Sequence, residues 1–255
     1  MGYTPILHTI NNKNIFTVLR KFIKTWYEID LLQTDKEINF GDRFGINISE
    51  NINNTLNLFM DLSNSIFYGN KKFLYSAFNY IFTNQSLIIS YNRKQEFLFL
   101  LQEGQQDFFY GIKKNDLSEE NPKIYRLVIN LKTKETTYYE DLDLTNFLIQ
   151  HICAKCSKIK TKSYSYLFSK NDNLMNNKIV ELMNYYDFKT SFDKITILEK
   201  NDTIAFIDYT EHDYSSEFYS LTINKWTEKQ KDITEKVVEI FEWKGWSDNT
   251  SRFKL

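Results

Sequence analysis

From Asn12 to Ile29 the apolar residues Ile15, Val18, Leu19, Phe22, Ile23 and Trp26 recur at intervals of three and four, while Arg20, Lys21, Lys24 and Glu28 fill the other side. That spacing predicts an amphipathic helix. Phe40-Gly41-Asp42-Arg43-Phe44-Gly45 reads as a turn, after which Ser49 is placed to cap a second helix through Ile52, Leu56, Phe59 and Leu62. A third helix is predicted over Lys71–Phe82, carried by Phe73, Leu74, Ala77, Phe78 and Ile81.

Beyond Asn84 short apolar runs replace the helical spacing. Leu87–Tyr91 and Phe97–Leu101 predict two strands joined by a hairpin-like Asn92–Glu96, and further strands fit Asp107–Ile112, Ile124–Asn130 and Thr136–Glu140. Pro122 has no amide to donate, so it belongs just before a strand, where its ring removes no ladder bond. Helical spacing returns over Asp143–Cys156 through Leu144, Phe147, Leu148, His151 and Ile152. Ser157–Lys170, rich in Lys, Ser and Tyr, is the one stretch that reads as a linker. A helix over Leu174–Tyr185 then precedes alternating strands at Lys194–Glu199, Thr203–Tyr209 and Glu217–Ile223, the first two joined by an Asn201-Asp202 turn. The last helix spans Thr227–Trp243. Thr227 with Gln230 forms a capping box, Ile233, Val237, Ile240 and Phe241 form the buried stripe, and Gly245 stops it.

Strands joined by short turns, with helices segregated from them, indicate an α+β fold. The expectation is one domain over 1–255, with a mostly antiparallel central sheet and helices at the N-terminus, mid-chain and C-terminus. A weak subdivision near 157–170 goes with the linker-like stretch.

Composition narrows the function. The 255 residues carry 32 basic and 33 acidic side chains, for a formal net charge of −1, with 16% aromatics but only seven glycines and two prolines. Such a chain can bury a core, and it presents no global field to draw it onto nucleic acid or an anionic membrane. Two cysteines cannot build the disulfide framework of a small secreted domain. Met1–Thr9 lacks the cationic start and apolar run of a signal peptide, and no stretch reaches the ~18 apolar residues of a membrane span. The expectation is a soluble cytoplasmic protein.

Local chemistry is sparse. Cys153 and Cys156 on one helix face could ligate zinc or cycle as a dithiol, but a structural zinc site needs four ligands and no second Cys pair exists. The zinc deaminase pattern fails as well, since none of His8, His151 and His212 is followed two residues on by a glutamate. There is no G-x-S-x-G turn and no phosphate-binding glycine loop. No metal or cofactor is expected. Lys155, Lys158, Lys160 and Lys162, interleaved with Tyr164 and Tyr166, could track a phosphate backbone while the rings stack on bases, or could be a solvated loop. Acidic groups cluster at Glu140, Asp141 and Asp143 and at Asp208, Glu211 and Asp213, where they could hold a cation, meet a basic partner or shape a turn.

The segment Leu98–Tyr125 reads L-F-L-L-Q-E-G-Q-Q-D-F-F-Y-G-I-K-K-N-D-L-S-E-E-N-P-K-I-Y. Its apolar strand ends in Glu103-x-Gln105, the next closes on Tyr110-Gly111-Ile112, and Asp116-Leu117 leads to Asn121-Pro122-x-Ile124-Tyr125. In these motifs the chain resembles the SUKH superfamily of bacterial immunity proteins, which also takes in yeast cell-wall regulators. The order of the flanking elements agrees over about Ile46–Trp246. The chain departs from the family at Ile52, which has no neighbouring proline, and at Tyr110 and Lys123, where tryptophan and a second proline are common. The residues read structurally: Glu103 and Gln105 for turn hydrogen bonds, Pro122 with Tyr125 for a rigid entry into the next strand, and Gly111 as a structural member of the motif.

The resemblance implies a non-enzymatic immunity protein that binds and blocks a cognate toxin, with no catalytic residues. A basic toxin such as a nuclease would be met by carboxylates, which singles out Glu140, Asp141, Asp143, Glu211 and Asp213 as expected partner contacts. A nucleic-acid-directed binder or enzyme using 155–166 is the alternative.

Overall fold

The computed structural model describes residues 3–27, 30–31, 38–68, 80–82, 96–103, 109–129, 136–154, 162–169, 173–192, 194–209, 218–225 and 231–241. These form an α+β fold with two antiparallel five-stranded sheets. The chain divides into two compact units, one made of residues 29–148 and the other of 1–28 together with 149–255. The sequence leads one to expect a single domain with a weak subdivision near 157–170; the two units divide at residues 28/29 and 148/149.

In the unit of residues 29–148, Asn39 caps a short helix α2 (Phe40–Phe44) by accepting from the Asp42 amide at 3.2 Å, and Gly45 ends it at φ 65°. This corrects the turn expected at 40–45: the turn residues are the cap and the stop of a helical segment. Helix α3 (Glu50–Tyr68) begins at Ser49, as expected, with Ser49 Oγ accepting from the Ile52 amide at 3.4 Å. Five strands follow as a meander: β1 (Tyr80–Phe82), β2 (Phe97–Glu103), β3 (Phe109–Lys113), β4 (Lys123–Ile129) and β5 (Thr136–Asp143). The end of the third predicted helix, Tyr80–Phe82, is therefore a strand paired with Leu101–Glu103; the rest of that helix, Lys71–Asn79, lies outside the described residues. So do the predicted strand Leu87–Tyr91 and the connection Asn92–Gln95. Because side chains alternate across a strand, Leu98, Tyr110, Ile112 and Ile124 share one buried face, where Tyr110 meets Phe147 of α4 (Leu144–Leu148) at 5.2 Å between rings. Phe97, Phe99, Tyr125 and Leu127 form a cluster on the other.

In the second unit, α1 (Ile15–Trp26) follows a single 3-10 turn (Leu7–Thr9), and a π-helical stretch spans Ile149–Ala154. The sheet runs β6-β10-β9-β8-β7, with β6 (Lys162–Ser169), β7 (Phe188–Ser191), β8 (Ile195–Lys200), β9 (Thr203–Asp208) and β10 (Phe218–Lys225). The expected linker thus contains an edge strand, β6, antiparallel to β10 along its length. β7 escaped the sequence reading because its side chains are largely exposed and carry no apolar alternation. Leu198, Ala205, Ile207, Leu221 and Ile223 pack beneath α5 (Asn173–Tyr185) and α6 (Lys231–Phe241) through Ile179, Leu182, Ile233, Val237 and Ile240. The opposite face of β8 and β9 is buried too, so these strands are covered on both sides rather than alternating between core and solvent. The capping residues Thr227 and Gln230 and the stop at Gly245 lie outside the described residues.

Candidate functional site

The described residues of Leu98–Tyr125 supply most of β2, all of β3, the 114–122 connection and the start of β4. Gly111 sits opposite Phe99 and Tyr125 in neighbouring strands. A Cβ there would lie 2.8 Å from the Leu98 carbonyl oxygen and 3.1 Å from Leu127 Cδ1, so the close approach of the strands requires glycine. Pro122 directly precedes β4, as its missing amide demands, and its carbonyl accepts from the Leu144 amide at 3.0 Å. Asn121 Oδ1 accepts from the Thr145 amide at 2.9 Å. On the other side, the Leu117 carbonyl accepts from the Ser49 amide at 2.7 Å, and the Glu120 carbonyl from Asn51 Nδ2 at 2.8 Å. The 117–122 loop therefore ties the starts of α3 and α4 to the sheet. Tyr125 packs edge-on against Phe97, with ring centroids 5.7 Å apart. Glu103 ends β2, and Gln105 lies outside the described residues.

Of the five expected partner contacts, Glu140, Asp141 and Asp143 lie together along β5. They are not equivalent. Glu140 is exposed and pairs with Lys123 at 3.2 Å. Asp143 caps α4, its Oδ1 accepting from the Asn146 amide at 2.8 Å while Asn146 Nδ2 donates to both carboxylate oxygens at 3.0 Å. Asp141 is half-buried. Glu211 and Asp213 lie outside the described residues, as do Lys155, Lys158, Lys160 and Cys156; Lys162, Tyr164 and Tyr166 fall within β6. Cys153 is fully buried, and that burial, reinforced by the nearby Glu199 charge, pushes its thiol well above the ordinary value, which disfavours the thiolate a metal or redox role needs. Among the described residues no three His, Cys, Asp or Glu side chains gather as metal ligands would, and no helix is long and apolar enough to cross a membrane.

Two arrangements had no sequence signal. The first is on β5. Tyr138 and Tyr139 are adjacent, point to opposite faces and are 45% and 54% exposed, with Val128 beside them on β4 at 38%. Tyr138 is held by Phe97 at 5.2 Å and Tyr125 at 5.8 Å between ring centroids, and Lys113 Nζ lies 4.7 Å over its ring. An exposed yet fixed aromatic side chain is what interface hot spots are made of.

The second is a buried carboxylate. Glu199 on β8 is 1% exposed, and its Oε1 accepts from the Tyr3 hydroxyl and from the Ile6 and Leu7 amides, both at 2.9 Å. Its Oε2 accepts from the His8 amide at 2.5 Å and lies 3.3 Å from His8 Nδ1. The His8 ring stacks on Phe188 with centroids 4.1 Å apart. Converging amides with a 3-10 turn behind them are a setting for an anion, here supplied by the chain itself. The arrangement fastens residues 3–8 to the sheet, and Asp202, at φ 62°, adds a second fastening through the Tyr3 backbone.

Compared with protein-family models, curated proteins and solved structures, the chain matches none.

Proposed function

We propose that this protein is an immunity protein that binds a cognate toxin within the producing cell and blocks it, acting by surface complementarity. What supports the reading is the Leu98–Tyr125 segment: its residues resemble the immunity family, and they are spent on framing a sheet that carries exposed tyrosines on its last strand. Neutralisation needs only an interface of ordinary size, on the order of 800 Å² from each partner. The carboxylates of β5 would favour a basic toxin surface, with nucleases one such class. The test is co-expression with the product of the gene immediately upstream, scored by survival and then by co-purification. Rescue with a stable complex is the expected result. An upstream product that kills whether or not this chain is present would refute it.

A further inference from the structure

Strand β5 closes the order β1-β2-β3-β4-β5, and among the described residues no strand pairs with its outer edge. An edge strand offers a row of amides and carbonyls to any extended chain, and proteins commonly blunt such edges with lysines, proline or a bulge. Thr136–Tyr139 contains no charge and no proline. The one irregularity in its pairing with β4 falls at Lys123/Tyr125, opposite the far end of the strand. Thr137, Tyr138 and Tyr139 are all exposed, so this half of the edge is open on both faces. Tyr138 is already fixed by Phe97, Tyr125 and Lys113, so little rotamer freedom would be lost when a partner covers it. The other half of the strand carries Glu140, Asp141 and Asp143, the first paired with Lys123 and the last engaged in capping α4.

We propose that the outer edge of β5 is the strand on which the toxin docks, an extended segment of the partner adding to the sheet in antiparallel sense. The assignment rests on the immunity reading and gives it a location. Main-chain hydrogen bonds to Thr136–Tyr139 supply register, and Tyr138 and Tyr139 clasp alternate apolar side chains of the incoming segment from the two faces, with Val128 extending the Tyr139 side. Antiparallel addition brings the N-terminal end of that segment beside Glu140 and Asp141, so the segment carries Lys or Arg there.

The experiment uses the full chain and its Tyr138→Ser/Tyr139→Ser variant, each purified with the co-expressed product of the upstream gene. The double variant is expected to bind at least about 100-fold more weakly, two hot-spot rings being lost, with unchanged circular dichroism. The single Tyr139→Ser variant, which removes only the more exposed ring, is expected to weaken binding about tenfold or more. Amide exchange at 136–139 should slow in the wild-type complex. A complex of undiminished affinity, without slowed exchange at 136–139, overturns the edge assignment and leaves the immunity reading standing. Absence of any complex with the wild-type chain removes both. A dimer of the chain alone that the double substitution abolishes would give the edge to a second copy and also overturn the proposal.

Discussion

Glu199 concentrates more of the chemistry of residues 1–28 and 149–255 than any apolar side chain there. One carboxylate, 1% exposed, receives a hydroxyl and three backbone amides from residues 191 to 196 positions earlier. Removing it strands those donors in a place water does not reach. Glu199→Ala should cost roughly 3–5 kcal/mol, the range for breaking a buried charged contact, and Glu199→Gln about 1–3 kcal/mol, because an amide keeps one acceptor and turns a donor toward the His8 amide. Urea unfolding followed by tryptophan fluorescence measures both; equal, small losses would show that the N-terminal segment is held mainly by Tyr3, Phe22 and Trp26 packing. The sequence placed Glu199 at the end of a predicted strand but could not show what it receives, because the meeting of Glu199 with residues 3–8 is set by tertiary structure and leaves no local pattern. The same holds for Tyr138 and Tyr139. Their strand was legible, but their place at the sheet's edge depends on strand order.

At the scale of elements, what could be read was what carries its own period or punctuation. α1, α3, α5, β2 to β5 and β8 to β10 were visible because stripes, apolar runs and caps are written locally. Tyr80–Phe82 reads as helix by spacing and is a strand because Leu101–Glu103 pairs with it, and β6 reads as linker because its Lys and Ser residues suit an edge. The π-helical turn at 149–154 also has no local signal; the Ile152 carbonyl within it accepts from the Tyr27 hydroxyl at 3.0 Å. Gly111 shows how narrow the margin between strands is. Gly111→Ala places a methyl 2.8 Å from the Leu98 carbonyl oxygen, and β2 and β3 must part to admit it. The expected cost is about 1–3 kcal/mol by overpacking, seen as a lowered denaturation midpoint. A midpoint at the wild-type value would mean that the strands shift freely and that glycine is not required.

For the whole molecule, the unit that joins 1–28 to 149–255 carries an alkaline limit. Burial and then the Glu199 charge raise the Tyr3 phenol far above its ordinary value, and burial followed by the Tyr185 hydroxyl does the same for Tyr186. Both phenols stay protonated in the folded chain at a pH where the unfolded chain ionises them. Their contribution is whole below the ordinary tyrosine value of about 10 and is lost as pH rises beyond it, at about 1.4 kcal/mol per pH unit for each. Stability measured from pH 8 to 11.5 should fall steeply above 10, and Tyr3→Phe should lessen that slope by about one proton; an unchanged slope would show that Tyr3 does not keep its proton in the fold.

The fastening of residues 3–8 by Glu199 also sets an order of events during translation. Those residues leave the ribosome nearly two hundred positions before the carboxylate that holds them. The whole of 29–148, contiguous in sequence, is synthesised in between. That middle stretch has everything its meander needs as soon as β5 and α4 emerge, whereas the first residues must wait, with their apolar side chains unsheltered, until β8 arrives. A nascent chain stalled after residue 148 therefore presents Ile6 and Leu7, whose amides Glu199 later receives, together with Phe22 and Trp26 of α1, before residues 149–255 exist to complete their unit, and these are the residues a chaperone would engage first.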